Sequence, residues 1–109
     1  MSKLAKVEKL IEKGKEDGLL KLVNDKDAEV CLAAIAGLGK VGQEAGANAL
    51  ITLLHSADAA VRRASAEALG NLGVARADAP LSHAMDIEKD PEVAKAMHNA
   101  LANLKKHEV

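Results

Sequence analysis

The sequence predicts an all-α protein, and three observations predict it. Its apolar residues recur at helical and not at strand spacing, its pattern repeats after 31 and 32 residues, and its apolar content is small in size. Of 109 residues, 49% are hydrophobic, none is Phe, Tyr or Trp, and 22 are Ala and 8 Gly. That apolar fraction is enough to fill a core and excludes a disordered chain, while the Ala and Gly content calls for helices packed closely together. The expected architecture is about three helix pairs preceded by one extra N-terminal capping helix, forming one domain: residues 1–14 for the cap, then units of about 15–45, 46–76 and 77–109.

Each element has its own signal. Lys3 to Lys13 carries Leu4, Val7, Leu10 and Ile11 on one side and reads as the extra amphipathic helix. The first helix of each pair is short: roughly Glu16 to Asn24, Gly46 to His55, and Ala79 to Ile87, the last capped by Asp78 with Pro80 in its first turn. The second helices are clearer. Asp27, Asp58 and Asp90 stand at N-cap positions, where a short carboxylate satisfies a free amide of the first turn, and Pro91 follows at a position that needs no N–H. Behind them run Val30, Ala33, Leu38 and Val41, matched by Val61, Ala64, Leu69 and Leu72, and by Val93, Ala96, Leu101 and Leu104. Gly42 and Gly73 occupy the places of left-handed C-terminal caps, and Gly39 and Gly70 those of close contacts with a partner helix.

Asp58-Ala-Ala-Val61-Arg62-Arg63-Ala64, continuing through Ala68-Leu69-Gly70-Asn71-Leu72-Gly73, resembles the second helix of a HEAT repeat, of the kind grouped as the phycobilisome-lyase HEAT-like family. The segment from Asp27 to Gly42 follows the same pattern with Cys31 in place of the customary Arg. The segment from Asp90 follows it without that Arg and with Ala102 for the Gly. The resemblance covers residues 16 to 106 and implies an α-solenoid whose second helices line a concave binding surface. It also implies an Asp-to-Arg ladder between units. Here only Arg62 is present, so packing has to supply most of the stability between units.

A solenoid must cover its terminal apolar faces. The first unit has Leu32 and Ile35 where the second has Arg63 and Ala66 and the third Lys95 and His98, so Leu4, Val7 and Ile11 are expected to cover Leu32 and Ile35. Lys95, Asn99, Asn103 and Lys106 make the outer side of the last helix polar, as expected of a closing unit and a complete chain.

Composition bounds the function. A formal net charge of −1 gives no footprint for nucleic acid or an anionic membrane, and without aromatic rings no base can stack. The N-terminus has no continuous apolar stretch of a signal peptide, and no window approaches the ~18 apolar residues of a membrane span. A lone cysteine, Cys31, fits a reducing cytoplasm; it stands in the first turn of a helix, where the dipole favours a thiolate, yet reads as a small half-buried residue. His55, His83, His98 and His107 show no i, i+4 pair with an intervening Glu and read as surface residues. His107-Glu108 is a single His-Glu pair, where HEAT-like hydroxylases use several to hold iron.

The row expected on the concave side is Lys40, Arg63, Glu67, Asn71, Lys95, His98, Asn99 and Asn103. Its mixed polarity suits a peptide or protein partner, with Arg63 able to fork onto a carboxylate, and Arg62 serving the ladder instead. The expected protein is a non-catalytic cytoplasmic interaction scaffold without cofactor or metal, a monomer or weak homodimer, its partner an unidentified protein or peptide. The alternative implied by the resemblance is an accessory in tetrapyrrole chromophore attachment.

Overall fold

A computed structural model describes the backbone of residues 2–107 and the side chains of residues 2–105. The elements are α1 (Lys3–Glu12), α2 (Glu16–Leu20), α3 (Ala28–Val41), α4 (Glu44–Leu53), α5 (Ala59–Leu72), a 3-10 turn (Ala75–Ala77), α6 (Asp78–Ile87) and α7 (Pro91–His107). No strand interrupts the described residues, and the molecule is an all-α solenoid. The second helices α3, α5 and α7 stack side by side, with α5 between the other two, and α2, α4 and α6 lie against them as the other layer. The shortest molecular extent is 17 Å, close to the thickness of two helix layers at 8–10 Å separation.

The caps follow the sequence. Asp27 accepts from Glu29 N–H at 3.0 Å, Asp58 from Ala60 N–H at 2.8 Å, and Asp90 from Glu92 N–H at 2.9 Å, each satisfying an amide that the helix leaves free. In each preceding turn a second motif recurs. The residue two before the aspartate, Asp25, Ser56 or Glu88, accepts that aspartate's own N–H, at 2.9, 3.1 and 3.0 Å respectively.

Side-by-side stacking depends on two glycines. A Cβ on Gly39 would stand 2.9 Å from Ala68 Cα, and one on Gly70 would stand 3.0 Å from Ala100 Cα, so the bare backbone is what lets α3 approach α5 and α5 approach α7. The core is correspondingly fine-grained. Leu38, Leu50, Leu69, Leu81 and Met97 are sealed from solvent, with Ala34, Ala66 and Ala68 filling between them.

Four local expectations are corrected. Gly73 ends α5 in the left-handed region at φ 68°, but Gly42 ends α3 extended, at φ −65° and ψ 145°. Its glycine is needed for room, because a Cβ there would collide with the Leu38 carbonyl oxygen. Asp78 is the first residue of α6 and not its cap; the 3-10 turn ahead of it puts Ala77 at the cap in helical conformation. α2 stops at Leu20 instead of Asn24, since Leu22 N–H bonds Leu19 O and Asp25 N–H bonds Leu22 O, tightening the chain into i→i−3 turns. α4 begins at Glu44, two residues earlier than expected, because the Glu16 carboxylate reaches across from α2 and accepts from Gln43 and Gly46 N–H.

The N-terminal helix packs on α3 and α2, with Val7 buried, Leu10 over Gly18 and Ile11 against Gly37. It does not cover Leu32 and Ile35. At about 100° per residue, Leu32, Ile35 and Gly39 share one face of α3, and that face turns to α5, whereas Gly37 faces the opposite way toward Ile11. Ile35 is buried there, and Leu32 lines hollows shared with Ala60 of α5. Leu4 remains 37% exposed. Lys106 and the His107-Glu108 pair fall outside the side chains described.

Candidate groove on the second helices

Repeat register decides which side chains of the second helices come together. Ala36, Glu67 and Asn99 stand at one equivalent position of the three units, and Lys40, Asn71 and Asn103 at the position one turn later. Five of these six border a hollow of about 430 Å³ between α5 and α7, Lys40 being the exception. Ala64, Ala68, Ala96, Ala100 and Gly70 form its floor. The floor is made of small residues for the reason the helices are close: the contacts that admit Gly70 against Ala100 leave no volume for larger side chains. Glu67, Asn71 and Asn99 are exposed and Asn103 is half-buried, so four polar side chains rise around a shallow bed of alanine.

Arg63 stands beside this hollow rather than in it. It lines a second depression of about 330 Å³ with Leu32, Ala59, Ala60, Asp90 and Glu92, and Glu67 borders both. The Arg63–Glu67 pair is 3.9 Å apart, with both side chains about half exposed, so water screens it and leaves either charge available. Lys95 and His98 are exposed but line neither depression, because they occupy the register of Arg63 and Ala66, the face of α5 turned toward the next helix. Among the described residues no helix packs on that face of α7. Of the eight residues expected in one row, Glu67, Asn71, Asn99 and Asn103 converge, Arg63 adjoins them, and Lys40, Lys95 and His98 lie apart.

Arg62 is a structural tie between units, as its place in the sequence led one to expect, but its partner is not an aspartate. Its guanidinium donates from Nε to Glu88 Oε1 at 2.8 Å and from Nη2 to Glu88 Oε2 at 3.0 Å, and from Nη1 to Ser56 O and Ala57 O. The bond to Arg62 holds the Glu88 carboxyl below its ordinary range, and the same bond raises Arg62. Glu88 was not foreseen from the sequence, although its place two residues before Asp90, matching Asp25 and Ser56, was the available signal. At the N-terminal end Lys3 makes a corresponding link to Asp25 at 2.8 Å.

Cys31 is buried instead of half-buried, and its thiol donates to Val23 O at 3.0 Å. Burial pushes the thiol up, with Asp58 and Asp25 adding to the effect, which opposes the thiolate that a helix N-terminus favours. Among the described residues no three His, Cys, Asp or Glu side chains converge as a metal site would require, and His55 and His83 come no closer than a tilted ring pair 6.2 Å apart. No helix of the described residues is long and apolar enough to cross a membrane.

Compared with known families, residues 16–102 match the model of HEAT repeats. No curated protein matches the chain.

Proposed function

The chain belongs to the HEAT-repeat family, whose members commonly act as protein-interaction scaffolds, and on that premise we propose that it binds a peptide or protein segment in the groove between α5 and α7. One observation carries the reading: Glu67, Asn71, Asn99 and Asn103, from two helices, surround a floor of Ala and Gly. Each carboxamide offers two N–H donors and a carbonyl acceptor, the complement of a peptide group, and Glu67 accepts from a further N–H or a cationic side chain. The small floor lets a backbone lie close to the helices, and the stacked pairs keep the four side chains in fixed relation without any change of fold on binding. Chemistry is not part of this proposal; the residues position a partner.

The test is selection of peptides from a random displayed library on the immobilised chain, followed by amide chemical-shift mapping of a selected peptide. Shifts should centre on Glu67, Asn71, Asn99 and Asn103, and Asn71→Ala with Asn99→Ala should weaken binding at least about tenfold, a factor that two lost hydrogen bonds supply. Peptides that map elsewhere, or bind the double variant as well, would remove the groove as the site. The tetrapyrrole alternative rests on the sequence resemblance alone.

A further inference from the structure

The two junctions between helix pairs are related by the repeat, so each can be compared with the other. At the second junction the Arg62 guanidinium lies between the Glu88 carboxylate of the following turn and the Ser56 and Ala57 carbonyls of its own turn, with Asp90 and Asp58 close enough to act on its charge. At the first junction the same register places Cys31 where Arg62 stands and Ser56 where Glu88 stands. The cation is gone and its principal carboxylate is gone with it.

As the second junction has a hollow of about 260 Å³ beside Arg62, the first has one of about 240 Å³ beside Cys31. Its walls divide by chemistry: Val23, Leu32, Leu53 and Val61 are apolar, while Asp25, Lys26, Ser56 and Asp58 are polar. Asp25 is committed, with Oδ2 bound by Lys3 and Oδ1 by Asp27 N–H. Asp58 is not. Its Oδ1 caps α5, and Oδ2 accepts no hydrogen bond among the described residues. Asp58 also holds the register of Asp90, the aspartate that faces Arg62 across the second junction, and it acts on the Cys31 sulfur in the same way.

We infer that this hollow receives the arginine side chain of a polypeptide partner, its stem along Val23, Leu32, Leu53 and Val61 and its guanidinium beside Asp58 and Ser56, at the junction equivalent to the one that Arg62 ties. The sister junction shows that the fold accommodates a guanidinium at this register. The apolar walls suit the three methylenes of arginine, which cover apolar surface while the planar head keeps its donors. A polypeptide source is favoured by position: Leu32 and Ala60 line both this hollow and the depression beside Arg63, so a chain anchored here continues over open surface. The site shares no lining residue with the α5–α7 groove and stands or falls independently of it.

The experiment is a titration of the isotope-labelled full chain with the blocked tripeptide acetyl-Ala-Arg-Ala-amide, followed by amide shifts. Saturable shifts are expected at Cys31, Ser56, Asp58 and Ala60, with the lysine tripeptide and free arginine each binding more weakly. Asp58→Asn keeps the helix cap and should weaken the arginine tripeptide about tenfold. Cys31→Arg, which places a resident guanidinium in the hollow, should abolish the shifts. Absence of saturable shifts at those amides up to about 20 mM tripeptide overturns the proposal, that limit being far weaker than a charge-paired arginine requires. So does equal binding by the lysine tripeptide, by free arginine, or by Asp58→Asn.

Discussion

Replacing Gly39 with alanine sets two effects of known sign against each other. In an unhindered helix interior the change stabilises by about 0.8–1 kcal/mol, because alanine has less backbone freedom to lose. Here the new Cβ would stand 2.9 Å from both Cα and Cβ of Ala68. Ordinary carbon contacts lie at about 3.5–4.0 Å, so α3 and α5 have to separate by roughly 0.6–1 Å, and neither neighbour has a side chain that can swing aside. Overpacking of this kind costs about 1–3 kcal/mol, which leaves a net loss near 1 kcal/mol. For a domain of this size that lowers the melting temperature by about 4–8 °C, readable by circular dichroism, and Gly70→Ala should shift in the same direction. An unchanged or raised melting temperature for Gly39→Ala would refute the claim that backbone proximity at this residue sets the spacing of the second helices.

Three other outcomes follow from the contacts. Glu88 has a folded pKa below its ordinary 4.5, so its contribution to stability is complete above that value and is lost as pH falls through the lower folded value; the melting-temperature advantage of the native chain over Glu88→Gln should therefore be steady at neutral pH and close on acidification below about 4.5. Glu16→Ala removes the acceptor for Gln43 and Gly46 N–H and should cost about 1 kcal/mol in chemical denaturation, with faster hydrogen exchange at those two amides. Val7→Ala deletes two buried methyl groups beneath α1 and should cost about 2 kcal/mol, counting about 0.8 kcal/mol per group plus the cavity left behind; a loss under half of that would mean that the first helix contributes little to the core.

What could be read from the sequence was whatever depends on neighbours along the chain. Asp27, Asp58 and Asp90 bond amides two residues ahead, and the helical spacing behind them gives the second helices almost to the residue. Register along the repeat also placed Glu67, Asn71, Asn99 and Asn103 on a common surface. It failed for Leu32 and Ile35, because a helix face has to be assigned to a neighbour, and spacing alone does not say which neighbour lies where. Gly39 held that information, since its lack of a side chain marks the face toward α5. Lys95 and His98 were misplaced by the same ambiguity, being in register with residues that meet a following helix where no such helix is described. The partners of Glu16 and Arg62, 30 and 26 residues away, depend on packing that local patterns do not encode.

The carboxylate that starts α4 belongs to the first helix pair and not to the second, and this bears on how independent the units are. Helix initiation is the costly step, since several dihedrals are fixed before any bond returns the loss. The segment from Gln43 onward has no side-chain cap of its own, so its first turn is stabilised from outside the unit, by Glu16. In a simple chain of repeats any unit can nucleate and growth can run either way. Here the second unit shares its starting point with the first, so the first turn of α4 and the Glu16 side chain of α2 are ordered together and the two units are coupled through that carboxylate.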